Sequence, residues 1–281
     1  MKIKINRNNL KKPLLAVCLA FTCLFSYGQE DYVDVKVGKM ITNSQMLAVG
    51  YSDVLDTYLT PQKYTGTELR YISHTVRRAP ESMWSCQLVH EGQFSYTHNI
   101  ANNADDIGGA YRFAYGLHRN YKFFDDQLEL KVGGEAAIRA GFLYNTRGGN
   151  NPAQAQLGLN VAPSVAAAYT LYTKKGSPLK FRYELSVPLV GVMFSPNYGQ
   201  SYYEIFSEGD YDHNVVPTTI FSAPSFRHML TFDFDIWKTT FRVGYLGDYR
   251  GEKVNDLKYH GYSSMFVLGF VKKFQITKFL N

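Results

Sequence analysis

The sequence predicts an all-β protein: an antiparallel, up-and-down transmembrane β-barrel of about ten strands. Three observations carry that expectation. Runs of 11 to 17 residues alternate apolar and polar side chains with period two. No stretch after the N-terminal segment reaches 18 consecutive apolar residues, so a membrane crossing has to be made by strands closed into a barrel. The 281 residues include 22 Tyr, 19 Phe and 23 Gly. Aromatic residues fit pleated strands, and Tyr suits surfaces that are half apolar and half wet.

The first residues, MKIKINRNNLKK, carry five positive charges and no acid, and Pro13 to Phe25 is an uncharged run too short for an ordinary membrane helix. With small residues at Ser26 and Gly28, this is the plan of a secretory signal over residues 1–28, cleaved after Gly28. Residues 29–281 are then a single barrel domain. Cys18 and Cys23 read as part of the leader, which leaves Cys86 alone and no disulfide framework. Of 30 Lys and Arg, 25 remain against 24 Asp and Glu, a net charge of +1. No basic stripe is left for nucleic acid, which is excluded as a partner.

Taken along the chain, ten strands follow from alternation between turn signals. Lys39 to Val54 is assigned because such barrels have an even strand number. Tyr64 to Val76 and Met83 to His98 are less regular. Tyr111 to Tyr121 opens Tyr111, Phe113, Tyr115, Leu117 against Arg112. Leu128 to Tyr144, Gln156 to Tyr172 and Lys180 to Val192 alternate cleanly. Arg227 to Trp237 sets Leu230, Phe232, Phe234 and Ile236 against Thr231, Asp233 and Asp235. Thr239 to Tyr249 and Tyr259 to Phe274 complete the set.

RRAPES, KFFDD, TKKGSP and WKTT are short connections. Those alternating with them (VLDTYLTPQKYTG, NIANNADDIG, NTRGGNNPA, the Ser195 to Ser225 loop and GDYRGEKVNDLK) read as longer loops, the usual asymmetry of outer-membrane barrels with short turns in the periplasm. VLDTYLTPQKYTG reads either as a shaped loop over the rim or as an ordinary one. Twelve strands result if the Tyr-rich part of the long loop forms a hairpin.

Alternation alone leaves both faces open as the interior. Strand length favours a membrane barrel, since 11 to 17 residues exceed soluble strands and cross a hydrocarbon core at a tilt of about 45°. Aromatics gather near strand ends, as interface girdles do. The lumen-facing candidates are therefore Arg112, Glu129, Lys131, Glu135, Arg139, Arg182, Glu184, Asp233, Asp235 and Arg242, charges of both signs that can pair.

The sequence contains no Walker loop, HExxH, GxSxG or paired-cysteine pattern, and the seven His are dispersed. No enzyme activity, cofactor or metal is expected. His228 and Ser264 fall near one rim on strands separated by a third, too loosely placed for a nucleophile and its base. EGDYDHN, Glu208 to Asn214, offers oxygens for Ca²⁺ but lacks a complete loop signature, and a solvated loop tip is the better reading.

The segment LDTYLTPQKYTGTELR, with the YGQ cleavage region and the Tyr-rich strands, resembles an uncharacterised family of exported Gram-negative bacterial proteins grouped as a domain of unknown function. Residues 39 to 274 resemble outer-membrane β-barrels in pattern. That resemblance implies the cell outer membrane, lipid and the barrel-assembly machinery as surroundings. Many such barrels end on an aromatic residue, whereas here QITKFLN follows Phe274; a strand end at Phe279 or a short tail reconciles this. Three readings of function stay open: a narrow porin-like channel for small solutes, a non-conducting structural or surface-binding barrel that takes a ligand on its long loop, and a soluble exported β-protein.

Overall fold

The computed structural model describes residues 38–149, 151–173 and 176–275. The expected leader with its cleavage site, and the strand end at Phe279, lie outside the described residues. The described chain forms twelve strands: β1 (Met40–Asp56), β2 (Thr60–Arg78), β3 (Trp84–Asn99), β4 (Asp105–Phe123), β5 (Leu128–Asn145), β6 (Ala153–Tyr172), β7 (Pro178–Ser186), β8 (Val190–Phe194), β9 (Val215–Thr219), β10 (Ser225–Ile236), β11 (Thr239–Val254) and β12 (Leu257–Gln275). A short helix, α1 (Tyr202–Phe206), stands between β8 and β9.

Ten strands close in the order β1-β2-β3-β4-β5-β6-β7-β10-β11-β12, and β12 pairs back to β1 from Met40↔Gln275 to Asp56↔Tyr259. Closure joins the first and last strands, as a wall without water beside it requires, and leaves open only β9 and the far-rim end of β6. Both ends of the described chain reach one rim, here the near rim; β1 and β2 turn at the far rim.

β8 and β9 are a hairpin built from a broken part of this wall. Along β6, Ser164 pairs with Ser186 of β7 but Val161 pairs with Val190 of β8, so one extra residue is inserted at Val187–Leu189. Pro188 sits in that bulge, where its missing N–H interrupts no ladder bond. The flanks of the long loop thus form the hairpin, while its Tyr-rich part forms α1.

Two segments expected as loops are strand. β11 runs through GDYRGEKV to Val254 and β12 starts at Leu257, leaving Asn255-Asp256 as the turn. These residues have φ of 52° and 58°, the positive pair that matches the twist of a two-residue hairpin. VLDTYLTPQKYTG is likewise strand apart from 57–59. The far rim is therefore short-looped except at 146–152 and 195–214.

Apolar side chains point outward. On β10, Leu230 is 50% exposed whereas Thr231 and Asp233 are 1% and 6% exposed. Phe232 stacks outside between Phe181 and Phe234, ring centroids 4.7 and 5.5 Å away. An apolar exterior around a polar interior inverts the order of a soluble barrel and is the outer-membrane β-barrel fold.

The turn gives a direct test. Asp256→Gly is expected to be neutral or stabilising by up to about 1 kcal/mol, and Asp256→Val to cost about 1–3 kcal/mol, because a β-branched residue resists positive φ. Denaturant midpoints of the folded barrel check both.

Candidate functional site

The interior is stacked in layers, readable from the order of inward residues on each strand. On β2 these run Glu68, Arg70, Ile72, His74; on β10, Arg227, Met229, Thr231, Asp233; on β11, Asp248, Leu246, Arg242. An apolar layer of Met46, Ile72, Met229, Leu246 and Met265, each 5% exposed or less, lies between two ionic layers.

Toward the far rim, Arg70 binds Glu68, and its Nη1 lies 2.7 Å from Glu91 and 2.5 Å from Asp248. Its Nη2 donates to Ser263 Oγ at 2.9 Å, and Arg227 reaches Glu91 at 2.7 Å. Toward the near rim, Arg242 forks onto Asp233 at 2.6 and 2.8 Å and donates to Ser44 at 3.0 Å. Bidentate geometry of this kind gives the strongest charge-assisted pairing. Arg182 binds Glu184 at 3.1 Å, and Glu129 collects Arg78, Lys180 and Lys131 at 3.3, 3.4 and 3.9 Å. Arg112 donates to Glu135 at 2.7 Å, as does Ser186.

Of the ten residues singled out in the sequence, eight enter these ion pairs. Arg139 does not: its Nη2 donates to Gln93 at 2.6 Å. Asp235 is exposed at the near rim and accepts from Thr240 at 2.6 Å. The sequence reading missed Glu68, Arg70, Glu91, Arg227, Asp248, Arg250 and Glu252. The last three lay in or at the end of the segment read as a loop, and their alternation with Tyr249, Gly251 and Lys253 was the available signal.

A cavity of about 120 Å³ lies on the far-rim side. Asp56, Arg139, Gln154, Asn160, Arg250, Glu252 and Tyr259 supply its polar wall, and Met193, Phe194, Val254 and Leu257 its apolar wall. The 195–214 segment packs at this rim. Tyr58 of the β1–β2 turn donates to Gln200 O at 3.0 Å and meets the Tyr202 ring edge-on at 5.9 Å. Ala155 N–H of β6 donates to Tyr202 Oη at 2.6 Å, and Tyr202 donates to Gln154 at 2.8 Å, so a phenol stands where a neighbouring strand would be. Asn255 donates to the carbonyls of Ser195 and His213 at 3.1 and 3.0 Å.

Burial pushes the Tyr202 phenol up to about 12 and raises Tyr58 as well. A raised phenol stabilises this packing fully below the ordinary Tyr value of about 10 and loses that contribution as pH rises through the folded value. Ser201 donates from its backbone N–H and hydroxyl to Glu204, holding that carboxyl below its usual range and starting α1 with a capping box.

The other sequence candidates are not assembled. His228 lies over Gly247 among Tyr183, Phe226, Tyr245 and Tyr249, while Ser264 accepts from Tyr245 at 3.1 Å; no hydrogen bond joins His228 to Ser264 among the described residues. In EGDYDHN, Asn214 turns inward onto Ser195 O and Gln200 while Glu208, Asp210 and Asp212 are exposed. Among the described residues no group of three or more His, Cys, Asp or Glu is placed to hold a metal.

The near-rim pair makes a clean double-mutant cycle. Arg242→Ala strands a buried Asp233 carboxylate and is expected to cost about 3–5 kcal/mol, and adding Asp233→Ala to recover part of that loss. Denaturant midpoints read both.

Among solved structures, the chain is similar to the transport unit of the autotransporter AIDA-I from Escherichia coli, with 7% identity, TM-score 0.47 and coverage of 94% of this chain and 97% of that one. It is also similar to the outer membrane protease OmpT from Escherichia coli, with 6% identity, TM-score 0.44 and coverage of 87% and 99%. The translocator domain of the autotransporter NalP from Neisseria meningitidis gives 11% identity, TM-score 0.35 and coverage of 93% and 95%. No curated protein matches the sequence. A family model described as "Protein of unknown function (DUF3316)" matches residues 14–279, and the chain belongs to that family.

Proposed function

We propose that this protein is an outer-membrane barrel that binds at its cell-exterior mouth and does not conduct. The near rim then faces the periplasm, the apolar exterior meets outer-membrane lipid, and the barrel-assembly machinery inserts the chain. One observation carries the reading: the buried apolar layer of Met46, Ile72, Met229, Leu246 and Met265 between two paired ionic layers. These side chains narrow the lumen, and hydrophobic constrictions close pores in this way, while the charges around them, Arg112, Glu135 and Glu184, are already paired with one another or with neighbours. A ten-stranded barrel is narrow enough for side chains to fill most of its lumen.

The porin-like reading is favoured by a different observation, the far-rim cavity at the start of the 195–214 segment, where Ser195 lines it. On that reading the segment is a gate and the cavity an entrance for small solutes. The two readings differ in what a planar bilayer records.

The purified barrel is expected to run as a detergent-resistant band that shifts on boiling and to add no steady conductance to a planar bilayer. Steady single-channel currents from the unmodified protein, altered by Arg139→Ala or Asp233→Ala, would establish the porin-like reading instead. Recovery of the native protein in the soluble periplasmic fraction would overturn both.

A further inference from the structure

Every other interior arginine has a carboxylate partner: Arg70, Arg78, Arg112, Arg182, Arg227 and Arg242 each lie within 4.0 Å of one. Arg139 and Arg250 do not, among the described residues. Arg139 bonds the neutral Gln93, its Nε is buried with no partner, and Arg250 bonds the Tyr259 hydroxyl at 2.7 Å with its guanidinium 5.2 Å from that ring's centroid. Both side chains line the 120 Å³ cavity, and both also line the smaller cavity beneath it.

Two guanidiniums lining one partly apolar cavity, neither within 4.0 Å of a carboxylate among the described residues, are a poor arrangement for stability alone. Arginine presents planar donors that match a carboxylate, and Arg139, a residue of the cavity wall, keeps one of them unfilled. From this the geometry points to a ligand: we propose that the far-rim cavity binds a small monocarboxylate, with Arg139 and Arg250 taking the carboxylate and Met193, Phe194 and Leu257 covering its apolar body.

Size and charge narrow the class. A dry cavity of about 150 Å³ accommodates benzene, so this one fits a body of a few carbons and not a sugar or a peptide. Glu252 and Asp56 line the same space. A dianion would place its second charge against them, whereas a monoanion is attracted by the two guanidiniums and leaves the carboxylates at a distance. The proposal deepens the reading of the barrel as a binding protein and rests on it.

The test uses the full chain, refolded in detergent and checked by its heat-modifiable band. Propionate is titrated calorimetrically against propionamide, its neutral counterpart of the same shape. The expected result is saturable one-to-one binding of propionate, at least tenfold weaker binding of propionamide and of inorganic phosphate, and at least a tenfold loss of propionate affinity in Arg250→Gln. Should Arg250→Gln fail to fold, Arg250→Lys and Gln93→Leu replace it, the first reducing affinity by loss of the fork and the second leaving the site cationic. Equal binding of propionate and propionamide, or no propionate heat from the folded protein, overturns the proposal. Conductance is recorded on the same preparation: a conducting barrel that binds propionate defeats the closed-barrel reading alone, and a silent barrel that ignores propionate defeats the site alone.

Discussion

The Arg70 guanidinium is the interaction on which the interior depends. It joins Glu68 on β2, Glu91 on β3, Asp248 on β11 and Ser263 on β12, and through Glu91 it is tied to Arg227 on β10. Strands far apart in sequence are thereby held at one level across the lumen. A barrel with an apolar exterior has nowhere else to place charge, and inside a medium of low polarity an unpaired ion is far more costly than a paired one. Pairing inside and apolarity outside are consequences of the same constraint.

That constraint also explains the layering. Because β-strand side chains alternate, each strand delivers inward residues at every second position, and equal levels on neighbouring strands meet in the lumen. Placing Ile72 between Arg70 and His74, Met229 between Arg227 and Asp233, and Leu246 between Asp248 and Arg242 stacks apolar groups into one sheet of contacts. The ionic layers lie on either side of it, and Arg112 of β4, level with Glu91, reaches past Ala114 to Glu135 and links them.

Much of this was legible in the sequence, and the failures have physical reasons. Ten strands could be found because alternation is strong where one side is apolar and the other charged, as in Leu128 to Tyr144. On β2 the contrast fades: the outward side carries Thr65, Thr67, Ser73 and Thr75, while Tyr64 and Ile72 point inward. Glu68 and Arg70 were hidden by that weakness. At the far rim, Gly, Asn and Asp suggested loops, since these residues punctuate chains. In DDIGG the glycines instead make room, Gly109 lying under the Phe142 ring and Gly108 against Ser95 Oγ. No local pattern distinguishes a glycine that ends a strand from one that receives a neighbour's side chain.

The broken part of the wall shows how the mouth was made. A continuous β7 would have carried β6 and β10 to the far rim; instead the chain bulges at Pro188, continues as β8, and returns as β9 after α1. The upper edge of β6 is left beyond the reach of a strand, and Tyr202 takes the Ala155 N–H in place of a carbonyl. A backbone ladder would have sealed this position permanently, because each of its bonds is shared with neighbours along the strand. One phenol, one Tyr58 hydroxyl and one Asn255 amide join the segment to the rim by side chains, and Ile205 of α1 is fully buried. The cavity with the two arginines that lack a carboxylate opens where Ser195 begins this segment, so the side chain-held part of the rim and the candidate site meet at one place.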